Sequence, residues 1–370
     1  MTWRGWLVAG VGLTGLGCAD APSDPLASET ASIVGGEPSG AEDDGVLLIR
    51  ALPEPDPEIL CTASLVAPNL LLTARHCVSY FNNGLFTCTL KGEVVETTPD
   101  AGKLGLHLPA GSIEVYSAET PREEPIARGV DVISTLSPVI CVNDIAFVVL
   151  DRALELPLVP MRLGRPAELH EAVTLVGYGM DGEQVEIPYE TQPRRRKPDL
   201  EIAGVGPDLL EDGVTTVSPR SLIVDGPSGC VGDSGGPLRA AETGAVLGVY
   251  SLQEGGNCTS ANVRHHLTHV PPFQALIAEA FTAAGSEPRL EPGSEPAPGS
   301  VGAGAGAGGA GPEPDPEGGA AGAVTDAPPH KSALDESGCS IAATNKTCGG
   351  SLLLLALLGL LCRRKRVAER

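Results

Sequence analysis

The segment Gly229-Cys-Val-Gly-Asp-Ser-Gly-Gly-Pro-Leu238 places a serine, Ser234, inside a glycine-rich turn. Glycines around a serine let backbone N–H groups converge on one point, where they can stabilise an oxyanion. A serine hydroxyl is a weak nucleophile at neutral pH and needs an adjacent base, which in turn needs an orienting carboxylate. A nucleophilic role for Ser234 therefore requires a histidine and an acid elsewhere in the chain.

Two other segments contain such residues. Thr73-Ala-Arg-His-Cys77 contains His76 directly after an apolar stretch, and Asn143-Asp-Ile-Ala-Phe-Val-Val-Leu150 places Asp144 at the head of another. A buried aspartate can fix the tautomer of an imidazole and stabilise the imidazolium as it forms. The order His, Asp, Ser is one of several known for such triads. Taken alone, His76 could be a structural histidine, Asp144 a turn residue, and the segment around Ser234 an ordinary loop.

These motifs, together with Ile33-Val-Gly-Gly36, resemble those of the chymotrypsin/trypsin-like serine peptidases across residues 33–283. The resemblance implies an all-β fold of two antiparallel six-stranded β-barrels with a C-terminal helix. His76 and Asp144 would come from the first barrel and Ser234 from the second.

Two departures from the family pattern stand out in the first half of the chain. Arg75 replaces the usual small residue before the histidine, and the interval between His76 and Asp144 is longer than usual. The longer interval implies an inserted loop.

The resemblance also implies roles for the individual residues. Ser234 would attack a peptide carbonyl to form an acyl-enzyme, His76 would transfer the proton, and Asp144 would orient His76. The N–H groups of Gly232 and Ser234 would form the oxyanion hole. This reading needs no metal or other cofactor, and its partners are protein or peptide substrates. The competing hypothesis is a catalytically silent surface binding module with the same fold, which no sequence feature excludes.

A zymogen is the second implication of the resemblance. The freed α-amino group of Ile33 would insert into the body and pair with Asp233, completing the oxyanion hole. Because Ser32 precedes Ile33, the activating protease would cut after a small residue rather than after Arg or Lys.

The same family resemblance implies which residues form the specificity pocket. Its base would be Ser228 and its walls would include Ser251, Gln253 and Asn262, with no acid at the base. Gln253 stands where a glycine would leave the pocket open, so we expect cleavage after small or medium uncharged residues. Asp225 could supply a counter-charge only if the loop were displaced.

The ten cysteines fit an oxidising compartment. Cys61–Cys77 and Cys230–Cys258 are disulfides that the family resemblance implies. A third bridge, Cys88–Cys141, would close the inserted stretch before Asp144, although the sequence alone does not fix this connectivity.

Composition narrows the class of protein. The net charge of −22 argues against a nucleic-acid binder. The basic run Arg194–Lys197 could be a polyanion patch, but against this charge a solvated loop entering a strand is favoured. His265, His266 and His269 invite a metal-site hypothesis, for which structural or solvated roles are the favoured alternative.

Short apolar stretches between turn signals indicate β-strands, although periodicity alone does not choose between a barrel and a sandwich. A helix is predicted over Pro272–Ala283, where apolar residues recur at helical spacing. The predicted strands are Gly45–Ile49, Ala63–Val66, Leu70–Ala74, Ile145–Leu150, Val173–Tyr178, Ser221–Val224 and Ala245–Ser251.

Both ends of the chain resemble export signals. Residues 1–18 have the charged start and short apolar run of a signal peptide, with Cys18 either lipidated or lost to ordinary cleavage nearby. Residues 19–32 would form an activation segment. Residues 284–336 read as a disordered Gly/Ala/Pro/Glu-rich linker.

Residues 337–370 combine a cysteine motif, a short leucine run and an arginine cluster, and they resemble MYXO-CTERM sorting tags of surface proteins. A plain C-terminal membrane helix is the alternative for this short apolar tail. The tag predicts sorting machinery as a partner and a protein tethered at the cell surface or outer membrane, with later release as the alternative.

Overall fold

The computed structural model describes residues 33–53, 58–117, 124–180, 182 and 193–293. The predicted signal peptide, activation segment and sorting tag, and the predicted linker beyond residue 293, lie outside the described residues. Within the described ranges, no helix combines the length and apolar character needed to cross a bilayer.

The described part of the chain is built almost entirely from β-strands. In chain order they are β1 (Glu37–Pro38), β2 (Val46–Ala51), β3 (Ile59–Ala67), β4 (Leu70–Thr73), β5 (Ser79–Phe81), β6 (Phe86–Cys88), β7 (Val94–Glu96), β8 (Leu104–His107), β9 (Ile113–Tyr116), β10 (Ala127–Ser134), β11 (Ala146–Leu150), β12 (Ala172–Gly177), β13 (Arg195–Glu201), β14 (Gly204–Val205), β15 (Asp208–Leu209), β16 (Thr216–Val217), β17 (Ser221–Asp225), β18 (Pro237–Ala240), β19 (Val246–Glu254) and β20 (Arg264–His269). The helix α1 spans Gln274–Ala284, and single 3₁₀ turns span Ala41–Asp43, Arg75–Cys77, Ala110–Ser112, Ile140–Val142 and Pro271–Phe273. Each of the predicted strands overlaps one of these strands.

The first half forms a closed barrel in the order β10-β11-β4-β3-β2-β9. Strands β4 and β11 are buried along their whole length, and they pair antiparallel from Ala146 opposite Thr73 to Val149 opposite Leu70. Continuous apolar runs of this kind are expected where both faces of a strand are covered. The ends of these two strands carry the His76 and Asp144 segments.

Within the described residues, the second half forms an open eight-stranded sheet in the order β1-β13-β12-β18-β19-β20-β17-β14, so the second six-stranded barrel implied by the resemblance is not confirmed. Both edge strands of this sheet pair over only two residues.

The helix begins two residues later than predicted, after a 3₁₀ turn, and packs Ile277 and Phe281 against the core of the barrel. Gly285 ends it in the left-handed conformation, with φ of 63°. The chain then continues along the body, where Glu291 is only 3% exposed and bonds the fully buried Arg162 at 2.6 and 2.8 Å. The folded region therefore extends beyond the predicted boundary at residue 283.

The interval between His76 and Asp144 contains two barrel strands as well as an insertion. The insertion includes the hairpin β6–β7, and the Cys88–Cys141 disulfide ties it down. Arg75 donates to the carbonyl oxygens of Ser137 at 2.5 Å and Gly105 at 3.3 Å, both within this interval. A small residue could not make these bonds, so the contacts with the longer interval explain why an arginine stands at position 75.

The basic run is not the solvated loop that the sequence favoured. Arg194 is buried and binds Asp44 at 2.7 Å, while Arg195 and Lys197 donate to backbone carbonyls of residues 36 and 35. Arg196 bonds Glu42 at 2.8 Å. Charge-assisted bonds of this kind are among the stronger hydrogen bonds in proteins. The run therefore holds the segment that follows Ile33.

Candidate active site

A cleft of about 1540 Å³ brings residues of the barrel and the open sheet together. Its lining includes His76 from the barrel and Gly232, Ser234, Ser251 and Gln253 from the second half. The three sequence motifs identified around a histidine, an aspartate and a serine thus meet at one place.

His76 and Asp144 form a doubly hydrogen-bonded pair. The His76 backbone N–H donates to Asp144 Oδ1 at 2.8 Å, and His76 Nδ1 lies 2.7 Å from Asp144 Oδ2. A carboxylate accepts, so Nδ1 carries the proton and Nε2 of the neutral ring is free to accept one. This is the tautomer that a general base beside a serine requires.

Asp144 is fully buried and also bonds the second half of the molecule. Ser251 Oγ donates to Asp144 Oδ2 at 2.5 Å, and Thr268 Oγ1 donates to the Asp144 carbonyl at 2.9 Å. Burial acts to raise the pKa of Asp144, but its interaction with His76 and the hydrogen bonds outweigh burial and hold the pKa below its usual range. Asp144 therefore stays ionised beside the imidazole.

The turn that carries Ser234 needs glycine at Gly232. Its φ is 100°, and a Cβ there would lie 2.9 Å from the Gly179 Cα. Thr62 supports the turn from the barrel, because its Oγ1 donates to the Gly232 carbonyl at 2.9 Å and its N–H donates to the Ser234 carbonyl at 2.8 Å. Sequence reasoning did not identify Thr62, although it directly follows Cys61, because its partners in the serine turn are distant in sequence.

Two backbone N–H groups of this turn are left for a ligand. Among the described residues, the N–H groups of Gly232 and Ser234 donate to no protein acceptor. The preceding carbonyls are engaged, Val231 O by Met180 N at 2.9 Å and Asp233 O by Gly236 N at 2.8 Å. In a trans peptide the N–H points opposite to the C=O. Both donors therefore point away from those partners, as an oxyanion hole requires.

The hydroxyl of Ser234 is not bonded to His76 in this state. Within the described residues no hydrogen bond joins Ser234 Oγ to His76 Nε2, which lies 3.8 Å from Cys77 Sγ. Catalytic hydrogen bonds are often long without substrate and tighten in the complex. The structure thus has the base oriented and the nucleophile nearby, with the last contact unmade.

Asp233 lies on the inner side of the same turn, completely buried. Its carboxylate accepts from Gly179 N at 2.7 Å and Cys230 N at 2.8 Å, and no cationic side chain pairs with it within the described residues. Burial raises its pKa to about 7, although the two N–H bonds act in the other direction. Ile33 is also fully buried, and its N–H donates to the Gly179 carbonyl at 3.3 Å. Ile33 N and the Asp233 carboxylate therefore contact the same residue.

The three expected disulfides are all formed: Cys61–Cys77, Cys88–Cys141 and Cys230–Cys258. The first ties β3 to the histidine turn, and the last ties the serine turn to the loop after β19. Cys61, Cys77 and His76 are close enough to resemble a metal site. However, both sulfurs are used in the disulfide, so they offer no thiolate to a metal.

The four predicted pocket residues separate in the structure. Ser251 and Gln253 line the cleft, whereas Ser228 is completely buried and Asn262 is exposed away from the lining. Ser251 is engaged with Asp144 rather than free as a wall. Asp225 is exposed and lies 3.3 Å from Arg264, so it does not supply a buried charge.

The three histidines of β20 do not converge on one point. His265 Nδ1 lies 2.8 Å from Tyr250 Oη, His266 lies 3.3 Å from Glu254, and His269 Nε2 accepts from Ala167 N at 3.1 Å. Alternation of side chains along a strand separates neighbouring residues in this way.

A histidine bonded to a buried aspartate shares one cleft with a serine whose turn has two unengaged N–H groups, an arrangement typical of serine hydrolases, and the fold that carries it is all-β. The family model described as Trypsin matches residues 33–277, which is more than half of the chain. The chain therefore belongs to the trypsin family.

Among solved structures, the chain is similar to the crystal structure of the scabies mite inactivated protease paralogue S-I1. The identity is 16%, the match covers 67% of this chain and 99% of that chain, and the TM-score is 0.47. Among curated proteins, none matches the sequence.

The buried Asp233 predicts a pH-dependent stability of the uncleaved chain. An acid whose pKa rises from 3.8 to about 7 on folding keeps its proton in the folded state where the unfolded chain has lost it. The free energy of unfolding should therefore fall as pH rises from about 4 to about 7, by up to about 4 kcal/mol at about 1.4 kcal/mol per unit.

Urea unfolding of the uncleaved chain between pH 4 and 8, in a Ser234→Ala background, measures this change. Asp233→Asn should remove that part of the pH dependence, while Asp199→Asn, at an exposed aspartate, should retain it. Identical pH profiles with and without Asp233→Asn would contradict the raised pKa.

Proposed function

We propose that residues 33–283 form a serine endopeptidase that works through an acyl-enzyme. Ser234 attacks the peptide carbonyl, and His76 accepts its proton and passes it to the leaving amine. Asp144 orients the ring, and the N–H groups of Gly232 and Ser234 stabilise the oxyanion. The observation that carries the proposal is the ionised, fully buried Asp144 on Nδ1 of a histidine that shares one cleft with Ser234.

Labelling with a fluorophosphonate tests the chemistry directly. The processed protein should label at Ser234 and lose all labelling in Ser234→Ala, while Ser286→Ala, outside the cleft lining, should label normally. Asp144→Asn should lower the rate of peptide hydrolysis by roughly 10⁴-fold, because the wrong tautomer is favoured. A correctly processed protein that never labels would contradict the peptidase and favour the catalytically silent binding module.

We also infer that the chain is made as a zymogen, activated by a protease that cuts after Ser32. Ile33 and the Asp233 carboxylate contact the same glycine, so an ammonium group at Ile33 would meet a buried carboxylate that has no cation. In addition, Ile33 has φ of 61°, which a β-branched residue rarely adopts and which costs roughly 1–3 kcal/mol. Cutting the bond before Ile33 removes the strained φ torsion of this residue. It also creates an α-ammonium group that can pair with the Asp233 carboxylate.

Mass spectrometry of the labelled fraction checks the activation step. The active species should begin at Ile33, and a chain in which Ser32→Pro blocks the cut should remain unlabelled. Asp233→Asn should be cut normally yet label slowly, because its amide cannot pair with the new ammonium group. Labelled enzyme that begins at any other residue, or that keeps the bond before Ile33, would refute this activation.

The mature enzyme is proposed to act outside the cell, tethered by its C-terminal end through residues 284–336 and the tag at 337–370. If Ile33 becomes the N-terminus, any lipid on Cys18 leaves with the segment before it. Because Glu291 is buried against Arg162, the linker would leave the folded body after this residue rather than at residue 284.

Fractionation and C-terminal peptide mapping test the tether. Active enzyme should be found with the cell surface, without peptides from residues 364–370, because the tag is cut near Cys339. Peptides from that region in the mature surface protein would instead indicate an ordinary retained tail. Soluble active enzyme in the medium alone would show that any tether is temporary.

A further inference from the structure

Tyr250 and His265 form a buried hydrogen-bonded pair beside the serine turn. Their exposures are 3% and 1%, and Tyr250 Oη lies 2.8 Å from His265 Nδ1. On the other side of the ring, His265 Nε2 lies 3.0 Å from the Gly226 carbonyl. A carbonyl only accepts, so Nε2 carries the proton and Nδ1 accepts from the tyrosine hydroxyl. The polar atoms of both side chains are therefore satisfied within the protein.

The tyrosine ring fills the space between two walls of the cleft. A Cβ on Gly229 would lie 2.2 Å from Tyr250 Cε2, so the ring packs directly on the backbone of that residue. The Tyr250 carbonyl accepts from Gly235 N at 2.8 Å, which fixes the tyrosine to the turn that carries Ser234. Tyr250 also lines the cleft together with Cys230 and Gln253. The ring thus bridges strand β19 and the segment before the nucleophile.

Neither side chain of the pair is charged at neutral pH, and the buried Asp233, whose charge acts on Tyr250, would be paired with the Ile33 ammonium group in the activated enzyme. Burial lowers the pKa of His265 to about 4, so its ring is neutral. Ser228, the residue that the sequence placed at the base, is completely buried and uncharged, and Asp225 is exposed beside Arg264. A buried charge without a partner is costly, so neither a basic nor an acidic substrate side chain would find compensation there.

We propose that the Tyr250–His265 pair determines specificity by occupying the recess beside Ser234, so that cleavage follows glycine, alanine or serine. This inference rests on the proposed peptidase function. A side chain larger than these would have to displace the ring, break its bond to His265 and open its contact with Gly229. Forcing a larger side chain into a packed site is unfavourable, and losing the contacts of the Tyr250 ring would weaken substrate binding further. Gln253, which the sequence singled out, also lines the cleft, and its amide donates to the Gly256 carbonyl at 3.2 Å.

Kinetics on peptides that differ only in the residue before the scissile bond test this assignment. For the activated wild-type enzyme, kcat/KM after Ala should exceed that after Leu, Phe or Lys by at least about 100-fold, a range that steric exclusion from a pocket can supply. In Tyr250→Ala the preference for Ala over Phe should fall at least 10-fold. Tyr250→Phe retains the ring and should keep the wild-type preference.

Fluorophosphonate labelling, measured in parallel, separates failure of this inference from failure of the peptidase proposal. Wild-type enzyme that labels but cleaves equally well after Phe or Lys would overturn the occupied recess, whether or not the variants fold. Folded Tyr250→Ala that labels with an unchanged preference would overturn it as well. If the processed wild-type protein does not label, the result contradicts the proposed peptidase function, and the proposed specificity fails with it.

Discussion

The buried carboxylate of Asp144 is the constraint on which the rest of the site depends. It lies at the head of barrel strand β11, yet Ser251 of β19 bonds its side chain and Thr268 of β20 bonds its carbonyl. An unpaired carboxylate in this position would cost several kcal/mol, so the bonds from His76 and Ser251 stabilise the fold as well as the orientation of the His76 ring. The interaction that fixes the base therefore also fixes the barrel against the open sheet, and the cleft geometry follows.

Asp144 and Asp233 are both completely buried next to residues that line the cleft, yet their pKa values shift in opposite directions because their partners differ. Asp144 has a histidine that can become cationic, and its pKa is held low. Asp233 has only two backbone donors, and burial raises its pKa to about 7. A pair of acids whose environments separate their pKa values is typical of functional sites. Asp144 is ionised beside His76 in the uncleaved chain, whereas Asp233 would gain a cationic partner only when cleavage forms the ammonium group of Ile33.

The sequence predicted seven of the strands and the helix, because each lies in a local apolar stretch between turn signals. The family resemblance, rather than a local pattern, implied that His76, Asp144 and Ser234 come together. The order of the open sheet was not predicted, because it depends on pairing between strands that are distant in sequence rather than on periodicity. Thr62 and Tyr250 were missed, and His265 was considered only as a metal ligand or a structural residue, because their hydrogen-bond partners are distant in sequence. A tyrosine directly before Ser251 was the one available signal for the filled recess.

The basic run shows why charge patterns are poor guides without a fold. In sequence, Arg194–Lys197 stands out only as a cluster, and a net charge of −22 makes a solvated role the natural expectation. In the structure the acids that neutralise it, including Asp44 and Glu42, lie on the segment that follows Ile33. Strand β13 thus holds this segment by side-chain bonds and by its pairing with β1. The contacts are made while the chain is uncut, so cutting before Ile33 would free the new terminus without releasing the segment behind it. An ammonium group formed at Ile33 would then have little conformational freedom to lose in reaching Asp233, which lowers the entropic cost of that contact.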